Sequence, residues 1–393
     1  MMRLAMWTYP WDVLDLGFET VVGDLRDRAG LNGINLATAY HAGRFLQPRS
    51  PHRKTYFPED GTIYFRPDVK RWADQAIQPK LASIVEEGGD VLRRFVDQRE
   101  RTGLSVACWT VCLHNMRLGL LHPNACVRNA FGDIHPFSLC PSHPDVRAYA
   151  INLVADITSN YAPDFVQLES PGFMGYAHGY HHEKDAVGLT AEDDYLLALC
   201  FCDACLARAR KAGVDGEAAQ RTVRGWIADL ADRAVPEARW PDFAARGPVV
   251  FRDHPEVYAY VMWRFEPVTS LCASIREAAD PRSKIHTIDD GWTCGHDAAA
   301  VARATDGIIF CAYDRGPEKV GADLSVMRAT IGADRHLGAG MRVLYPEMKG
   351  PDDIASRSRA AAQAGATEIN YYNYGLVPSA RLDWVRAGAE ATR

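Results

Sequence analysis

The sequence predicts a (β/α)₈ barrel, the TIM-barrel class of α/β protein, with long loops and a helical insertion after the fourth strand. Short β-branched or aromatic runs alternate with longer segments of helical period, which is typical of parallel βαβ units. Eight such runs occur, and no G-x-G-x-x-G turn follows the first, as a doubly wound nucleotide-binding sheet would have. The predicted strands cover residues 3–9, 33–39, 104–113, 164–169, 284–289, 307–313, 340–345 and 368–374.

The connections between these strands are unequal in length. Helical patterns are predicted at 91–102, 144–161, 258–279, 297–304 and 351–364, with a closing helix near 378–389. The links after strands two, three and four are long, and the longest carries an insertion at roughly 171–257, between strands four and five. Loops that follow barrel strands lie at the C-terminal face, where substrate pockets form. We therefore expect one barrel domain spanning residues 1–393, with its site at that face.

Composition excludes several classes of partner. Hydrophobic residues make up 47% and charged residues 24%, the balance of a globular protein with a large core. The net charge of −6 argues against nucleic acid as a partner, because phosphate binding needs a basic surface. Residues 1–11 lack the pattern of a signal peptide, and no run approaches the roughly 20 apolar residues that a membrane span needs. We expect a cytoplasmic protein without a membrane partner; the sequence leaves homo-oligomer formation open.

Acidic residues at the predicted strand ends are the candidates for chemistry. Strand four ends in FVQLES, with Glu169 at its lip, and strand seven ends in VLYPEM, with Glu347 just beyond. Strands four and seven face each other across a barrel mouth, so this pair can flank a glycosidic bond and supply its acid and its nucleophile. A structural salt bridge is the alternative use of either residue. Asp314, after strand six, competes with Glu347, and one of Asp289 and Asp290 is expected to cap the next helix.

These residues carry a resemblance to a known group of enzymes. Acidic residues after strands four and seven resemble the large clan of retaining β/α-barrel glycosidases. The stretches LCPSHPDVRAYAINLVADI (139–157) and CFCDACLARARKAG (200–213) resemble poorly characterised glycosyl-hydrolase-like barrels related to that clan. The resemblance implies that Glu169 is the acid/base, that Glu347 is the nucleophile, and that the enzyme retains anomeric configuration. The chain departs from the clan at Leu168, where the clan usually has asparagine.

Aromatic and polar side chains at the strand ends predict a sugar-binding mouth. Sugars present apolar ring faces between hydroxyls, so their sites combine stacking rings with hydrogen-bonding groups. One aromatic at such a position is more often core, but here nearly every strand end carries one, including Tyr9 and Tyr372. The predicted substrate-binding residues are Trp7, Tyr40, His41, Trp109, His114, Asn115, Asp289, Trp292, Tyr313, Asp314 and Tyr345. The expected protein is a glycoside hydrolase that cleaves a small or terminal linkage, with a small-molecule carbohydrate as partner and no cofactor.

Two segments invite a metal interpretation. The loop GYAHGYHHEKD (175–185) has three histidines without the spacing of an H-E-x-x-H site, so we expect it to line the pocket. Cys200, Cys202 and Cys205 have C-x-C-x-x-C spacing, which suits structural zinc. A tetrahedral site needs a fourth ligand from Cys126, Cys140 or a histidine. Buried reduced thiols are the default interpretation, and no metal ligand is assigned.

Two other functions remain compatible with the same fold, because the barrel hosts many chemistries. The first is a metal-dependent sugar isomerase or epimerase. It would use Glu169, Asp289 or Asp290, His286 and Glu347 as ligands to a divalent ion. The second is a sugar-binding barrel without catalysis.

Overall fold

The computed structural model describes residues 2–178 and 183–393. Eight parallel strands pair in chain order, and the first strand pairs with both the second and the eighth, which closes the sheet. The protein is therefore the (β/α)₈ TIM barrel that the sequence predicts. The strands are β1 (Arg3–Thr8), β2 (Gly33–Tyr40), β3 (Ser105–Val111), β4 (Phe165–Glu169), β5 (Lys284–Ile288), β6 (Gly307–Cys311), β7 (His336–Arg342) and β8 (Glu368–Tyr372).

Helices connect the strands and cover the outside of the barrel. The predicted helix at 144–161 is confirmed, whereas the pattern at 258–279 is two consecutive helices, and the helices after β1 and β6 were not predicted. Before β4 the helices are Pro10–Leu16, Phe18–Gly23, Val69–Trp72, Ser83–Gly88, Val91–Asp97, Arg99–Thr102, Met116–Leu121 and Pro144–Tyr161. After β4 they are Ala191–Ala198, Asp203–Lys211, Gly216–Asp232, Phe243–Arg246, Pro255–Trp263, Phe265–Ala278, Ala298–Ala304, Pro317–Ile331, Pro351–Gln363 and Arg381–Glu390. Among these described helices, none is both long and apolar enough to cross a lipid bilayer.

Among the predicted strands, β7 is the one whose starting position the structure corrects. The pattern predicts residues 340–345, but the strand runs from His336 to Arg342. A Cβ at Gly338 or Gly340 would come within 2.9 Å of side chains on β6. Glycines therefore make room for the neighbouring strand, and they remove the β-branched pattern by which a strand is recognised. As a result Arg342 ends the strand, and Glu347 lies on the following loop instead of at the strand end.

The lower half of the barrel interior holds a buried ionic cluster. Arg3 forms a salt bridge with Glu368, and both side chains are almost completely buried. His336 Nε2 lies 2.7 Å from the second oxygen of Glu368, and His286 lies 3.5 Å from it. Burial raises the pKa of Glu368, but Arg3 and the two histidines outweigh it and hold that pKa well below its usual value. Glu368 is thus a structural residue at the barrel floor.

Hydrogen bonds connect this cluster to Trp7, nearer the mouth of the barrel. Gln167 Nε2 donates to Glu368 Oε1 at 3.1 Å, and Gln167 Oε1 accepts from Trp7 Nε1 at 3.0 Å. Asn35 bridges Arg3 and Asn370, with distances of 2.8 and 2.6 Å. A polar group buried in a barrel core costs free energy unless it is paired, so this network fixes the rotamers of its members. The indole of Trp7 is consequently held in one orientation.

We expect Glu368→Ala to lower the free energy of unfolding by about 3–5 kcal/mol, because it leaves Arg3 as an unpaired buried cation. Urea unfolding followed by circular dichroism measures this loss. The matched control is Asp383→Ala, which removes an exposed salt bridge to Arg28 and should cost less than about 1 kcal/mol. Equal effects of the two substitutions would contradict a structural role for the interior cluster.

Candidate active site

A pocket of about 350 Å³ opens at the C-terminal ends of the barrel strands. Glu169 and six of the predicted substrate-binding residues line it, and residues that the prediction did not include line it as well. The predicted lining residues that reach it are Trp7, Tyr40, His41, Trp109, Asp289 and Tyr313. The lining residues outside that predicted set are His178, which belongs to the loop expected to line the pocket, and Ile288, Asp290, Cys311, Arg342 and Tyr372.

Glu169 is the last residue of β4, and its carboxyl group enters this pocket. Burial, with a smaller contribution from the charge of Asp290, raises the pKa of Glu169 to about 7. A hydrogen bond donated by Trp109 Nε1 favours the ionised form, but it does not outweigh burial. A carboxylic acid with a pKa near 7 holds its proton for part of the time at neutral pH and can donate it to a substrate.

Asp289 and Asp290 follow β5 and also line the pocket. Burial raises the pKa of Asp290 to about 6, with His296 opposing the shift and Asp289 adding to it. His296 is buried between them, its Nδ1 3.6 Å from Asp289 Oδ1 and its Nε2 3.9 Å from Asp290 Oδ2. Burial favours a neutral ring, yet the two carboxylates raise the pKa of His296 above its usual value.

The expectation that one of these aspartates caps the next helix is wrong. The helix Ala298–Ala304 is capped by Asp297, whose carboxylate accepts from the backbone N–H of Ala300 at 2.9 Å. Both Asp289 and Asp290 are therefore left for the pocket. The pocket brings three carboxyl groups together, from Glu169, Asp289 and Asp290, with the imidazole of His296 behind two of them.

Glu347 stands apart from this group. Its Oε1 accepts from Arg342 at 3.2 Å, and its Oε2 is buried without a hydrogen-bond partner in the part of the chain that the structure describes. The guanidinium of Arg342, which does line the pocket, also lies 3.6 Å from Asp314 and packs over the ring of Tyr313. Asp314 is 62% exposed, and Tyr345 is 70% exposed. Glu347, Asp314 and Tyr345 are thus absent from the lining of the central pocket.

Aromatic rings form the floor and one wall of the pocket. The rings of Trp7 and Trp109 are 6.1 Å apart, and the edge of Tyr372 packs against both. The hydroxyl of Tyr9 contacts the hydroxyls of Tyr40 and Tyr372 at 3.1 and 3.0 Å. Burial raises the pKa of Tyr9, and the two neighbouring tyrosines add to the shift, so the hydroxyls stay protonated.

The remaining predicted contacts lie behind or beside the pocket. His114 stacks on His41 with ring centroids 4.2 Å apart, and His178 packs edge-on against His114. Asn115 caps the helix Met116–Leu121 through its side chain, which gives it a structural role. Trp292 packs against Tyr195 and Phe243, and its Nε1 donates to the carbonyl of Ala244 at 3.1 Å. These contacts join Trp292 to the insertion after β4.

Arg342 is a pocket residue that the sequence pattern does not predict, because the predicted seventh strand begins four residues later than the observed one. The alternation of Gly338, Gly340 and Arg342 is the signal that would have identified it, since one face of a strand repeats every second residue. His178 falls in the histidine-containing loop that was expected to line the pocket, and it does so. The other two histidines of that loop, His181 and His182, lie outside the described residues.

Within residues 2–178 and 183–393, two groups of side chains are arranged closely enough to hold a metal ion. One contains His286, His336 and Glu368 and is the ionic cluster of the barrel floor, where Arg3 already pairs with the glutamate. The other contains four cysteines. Neither includes Glu169, Asp289, Asp290 or Glu347, so the ligand set of the alternative isomerase is not assembled among these residues.

No protein-family model matches the chain, and no curated protein matches it in sequence. Solved structures do match its fold. The glycoside hydrolase domain of PgaB (BpsB) from Bordetella bronchiseptica is 13% identical with a TM-score of 0.57, over 100% of this chain and 97% of that one. A β-galactosidase from the Antarctic haloarchaeon Halorubrum lacusprofundi is 16% identical with a TM-score of 0.58, over 99% of this chain and 58% of that one.

A third match is the catalytic domain of β-amylase from Paenibacillus polymyxa, which is 10% identical with a TM-score of 0.54, over 97% of this chain and 94% of that one. At such identities the matches show the fold alone. The chain is a TIM barrel that is structurally similar to glycoside hydrolase domains.

Proposed function

We propose that this protein is a glycoside hydrolase with Glu169 as its general acid/base. The observation that carries the proposal is a partly buried carboxyl group at the lip of β4, with a raised pKa, inside an aromatic pocket that holds further carboxyl groups. Glycosidic bond cleavage needs one protonated and one ionised carboxyl group on either side of the scissile bond. Environments that push the pKa values of two such groups apart assign their roles.

The proposed ionised partner is Asp290. It lines the same pocket, its pKa is the lower of the two, and the positive charge of His296 supports its ionised form. β4 and β5 are neighbouring strands, and neighbouring strands are about 4.8 Å apart. Retention of configuration requires the two carboxyl groups to lie about 5–5.5 Å apart, and we propose it here because Glu169 and Asp290 stand at the ends of adjacent strands. Glu347, the partner that the clan resemblance implies, is the competing assignment.

In the proposed reaction Glu169 protonates the glycosidic oxygen as Asp290 attacks the anomeric carbon. The bond to the leaving alcohol breaks, and a glycosyl ester forms on Asp290. Glu169, now ionised, takes a proton from water, whose oxygen attacks the same carbon and releases Asp290. Trp7 and Trp109 offer apolar faces to the sugar ring, and the Tyr40 hydroxyl offers a hydrogen bond.

The size of the pocket favours a small substrate. Ligand pockets commonly range from about 300 to 1,000 Å³, so a volume of about 350 Å³ fits one sugar unit and little more. The floor is closed by Trp7, which the interior network holds in place. We therefore propose action on a terminal sugar residue.

A panel of aryl glycosides, followed by oligosaccharides with the same terminal sugar, tests the proposal. Release of the terminal sugar, with the anomer that forms first identified by proton NMR, is the expected result. Sugar binding without any product would favour the non-catalytic barrel. Interconversion of free sugars that is lost on treatment with a chelator would favour the isomerase.

The pH dependence of kcat/KM, which reports the ionisation of the free enzyme, is expected to be a narrow bell. Activity should fall below about pH 6, where Asp290 gains its proton, and above about pH 7, where Glu169 loses its proton. Because Asp290 and Glu169 interact, the acid and alkaline limbs of the profile report apparent pKa values that belong to the pair. Initial rates in constant-ionic-strength buffers from pH 4 to 9 measure the profile. A broad plateau through pH 6–7 would contradict these roles.

A further inference from the structure

Four buried cysteines meet on the side of the barrel that carries the insertion. Cys200, Cys202 and Cys205 lie between and within the helices Ala191–Ala198 and Asp203–Lys211, after β4. Cys140 comes from the connection between β3 and β4, four residues before the helix Pro144–Tyr161. The four sulfur atoms all lie within 4.8 Å of one another, and all four residues are buried free thiols.

The spacing of these sulfur atoms matches the edges of a tetrahedral zinc site. The Sγ atom of Cys140 lies 3.4 Å from that of Cys205, 3.5 Å from that of Cys202 and 3.8 Å from that of Cys200. A regular tetrahedron with zinc–sulfur bonds of about 2.3 Å has edges of about 3.8 Å. The fourth thiol beside the C-x-C-x-x-C segment is therefore that of Cys140, 60 positions before Cys200 in the chain.

Other uses of four such thiols fit less well. A disulfide needs sulfur atoms about 2.05 Å apart, and each of the three distances from Cys140 is well above that value. An iron–sulfur cluster is a multi-atom body, whereas sulfurs within 4.8 Å of one another leave room for a single ion. Four thiols without any ligand would also be an unusual core, since apolar side chains fill such space at lower cost.

The surroundings supply what a zinc tetrathiolate needs. The backbone N–H of Arg128 points at the Cys200 sulfur from 3.5 Å, and Cys202 stands at the N-terminus of the nine-residue helix Asp203–Lys211. Backbone N–H groups and helix N-termini stabilise thiolates. The bound site would carry a net negative charge, and two arginines stand nearby: Arg147 donates to the carbonyl of Pro141, next to Cys140, at 3.1 Å, and Arg208 lies on the same helix as Cys205.

We infer that Cys140, Cys200, Cys202 and Cys205 bind one structural Zn²⁺ ion, which joins the insertion after β4 to the connection before β4. A structural site of this kind is closed, with four protein ligands and no open position for substrate or water. Zinc binding releases the thiol protons and cross-links the segment that carries Cys140 to the segment that carries the other three cysteines. The inference does not depend on the proposed hydrolase, because this site lies outside the pocket of Glu169.

Elemental analysis of the full chain, purified without chelator and dialysed, tests the site directly. One zinc ion per chain is the expected result. Titration with a mercurial thiol reagent should release this zinc in step with modification of the four cysteines. Cobalt(II) in place of zinc should give the thiolate-to-metal absorption bands and the strong visible bands of a tetrahedral sulfur site. Protein that holds no zinc after expression with added zinc would overturn the inference.

Two variants and a matched control locate the ion. Cys202→Ser and Cys140→Ser should each lose most of the zinc, whereas Cys126→Ser should retain it. Cys126 is a buried thiol nearby that donates to backbone carbonyls and lies outside the group of four. Zinc that stays in both ligand variants, or that leaves with Glu169→Gln, would place the metal elsewhere and overturn the inference. If either ligand variant does not fold, the thiol titration and cobalt spectrum of the unaltered chain still decide.

Discussion

Replacing Glu169 by glutamine is expected to lower kcat by about 10³-fold on glycosides with poor leaving groups, since it removes the proposed proton donor. The amide oxygen of glutamine can still accept the hydrogen bond from Trp109 Nε1, so the pocket keeps its shape. Steady-state kinetics on alkyl glycosides measure the loss. On activated aryl glycosides, whose leaving groups depart without protonation, the first step should be affected much less.

The dependence on the leaving group separates lost acid catalysis from a damaged pocket. A damaged pocket would slow all substrates alike, whereas loss of the acid slows them according to the basicity of the leaving group. The alkaline limb of the pH profile should also disappear in Glu169→Gln, because that limb reports the same proton. Near-normal kcat on alkyl glycosides would exclude Glu169 as the acid.

Replacing Asp290 by asparagine is expected to lower kcat by at least about 10³-fold on every glycoside, including activated ones, because the proposed nucleophile is lost. The smaller charge near Glu169 should also lower the pKa of that residue, since Asp290 contributes to raising it. Added azide, a small external nucleophile, should restore part of the turnover on activated substrates. Rates with and without azide measure both effects.

Glu347→Gln is the control that decides between the two candidate nucleophiles. Glu347 contacts Arg342 on the loop after β7 and is absent from the pocket lining, so its replacement should change kcat/KM by a modest factor through Arg342. If Glu347→Gln abolishes turnover and Asp290→Asn does not, the clan arrangement applies and Asp290 is a supporting residue. Asp314→Asn, at an exposed position beside the same arginine, serves as a further control.

The sequence predicts the fold well because its main signals are local. Seven of the eight predicted strands begin within one residue of the observed ones, and each is a run of β-branched or aromatic residues between turns. β7 is the exception, because Gly338 and Gly340 leave the space that side chains of β6 and the ring of Trp7 occupy. Packing between strands that are distant along the chain governs those positions, and no local pattern reports it.

The candidate site divides in the same way. The period of two along β4 is enough to place Glu169 at the end of that strand. Trp7, Trp109 and Tyr313 line the pocket, as their positions near predicted strand ends led us to expect. The partner of Glu169 depends on where the loops turn after the strands. Loop conformations are set by contacts with other elements, such as the hydrogen bond of 3.2 Å that Arg381 donates to the carbonyl of Val343 after β7, and residue spacing does not reveal those contacts.

By itself the sequence determined the class of fold, the face that carries the site and the acidic residue at the lip of β4. These follow from hydrophobic period and from the rule that barrel loops gather at the C-terminal ends of strands. The tertiary structure alone decided that Asp290 shares the pocket with Glu169, that Arg342 forms a salt bridge with Glu347, and that Cys140 completes the group of four thiols. The first and the last of these bring together residues far apart in the chain, and the Arg342–Glu347 contact depends on how the loop after β7 turns; packing in three dimensions decides both.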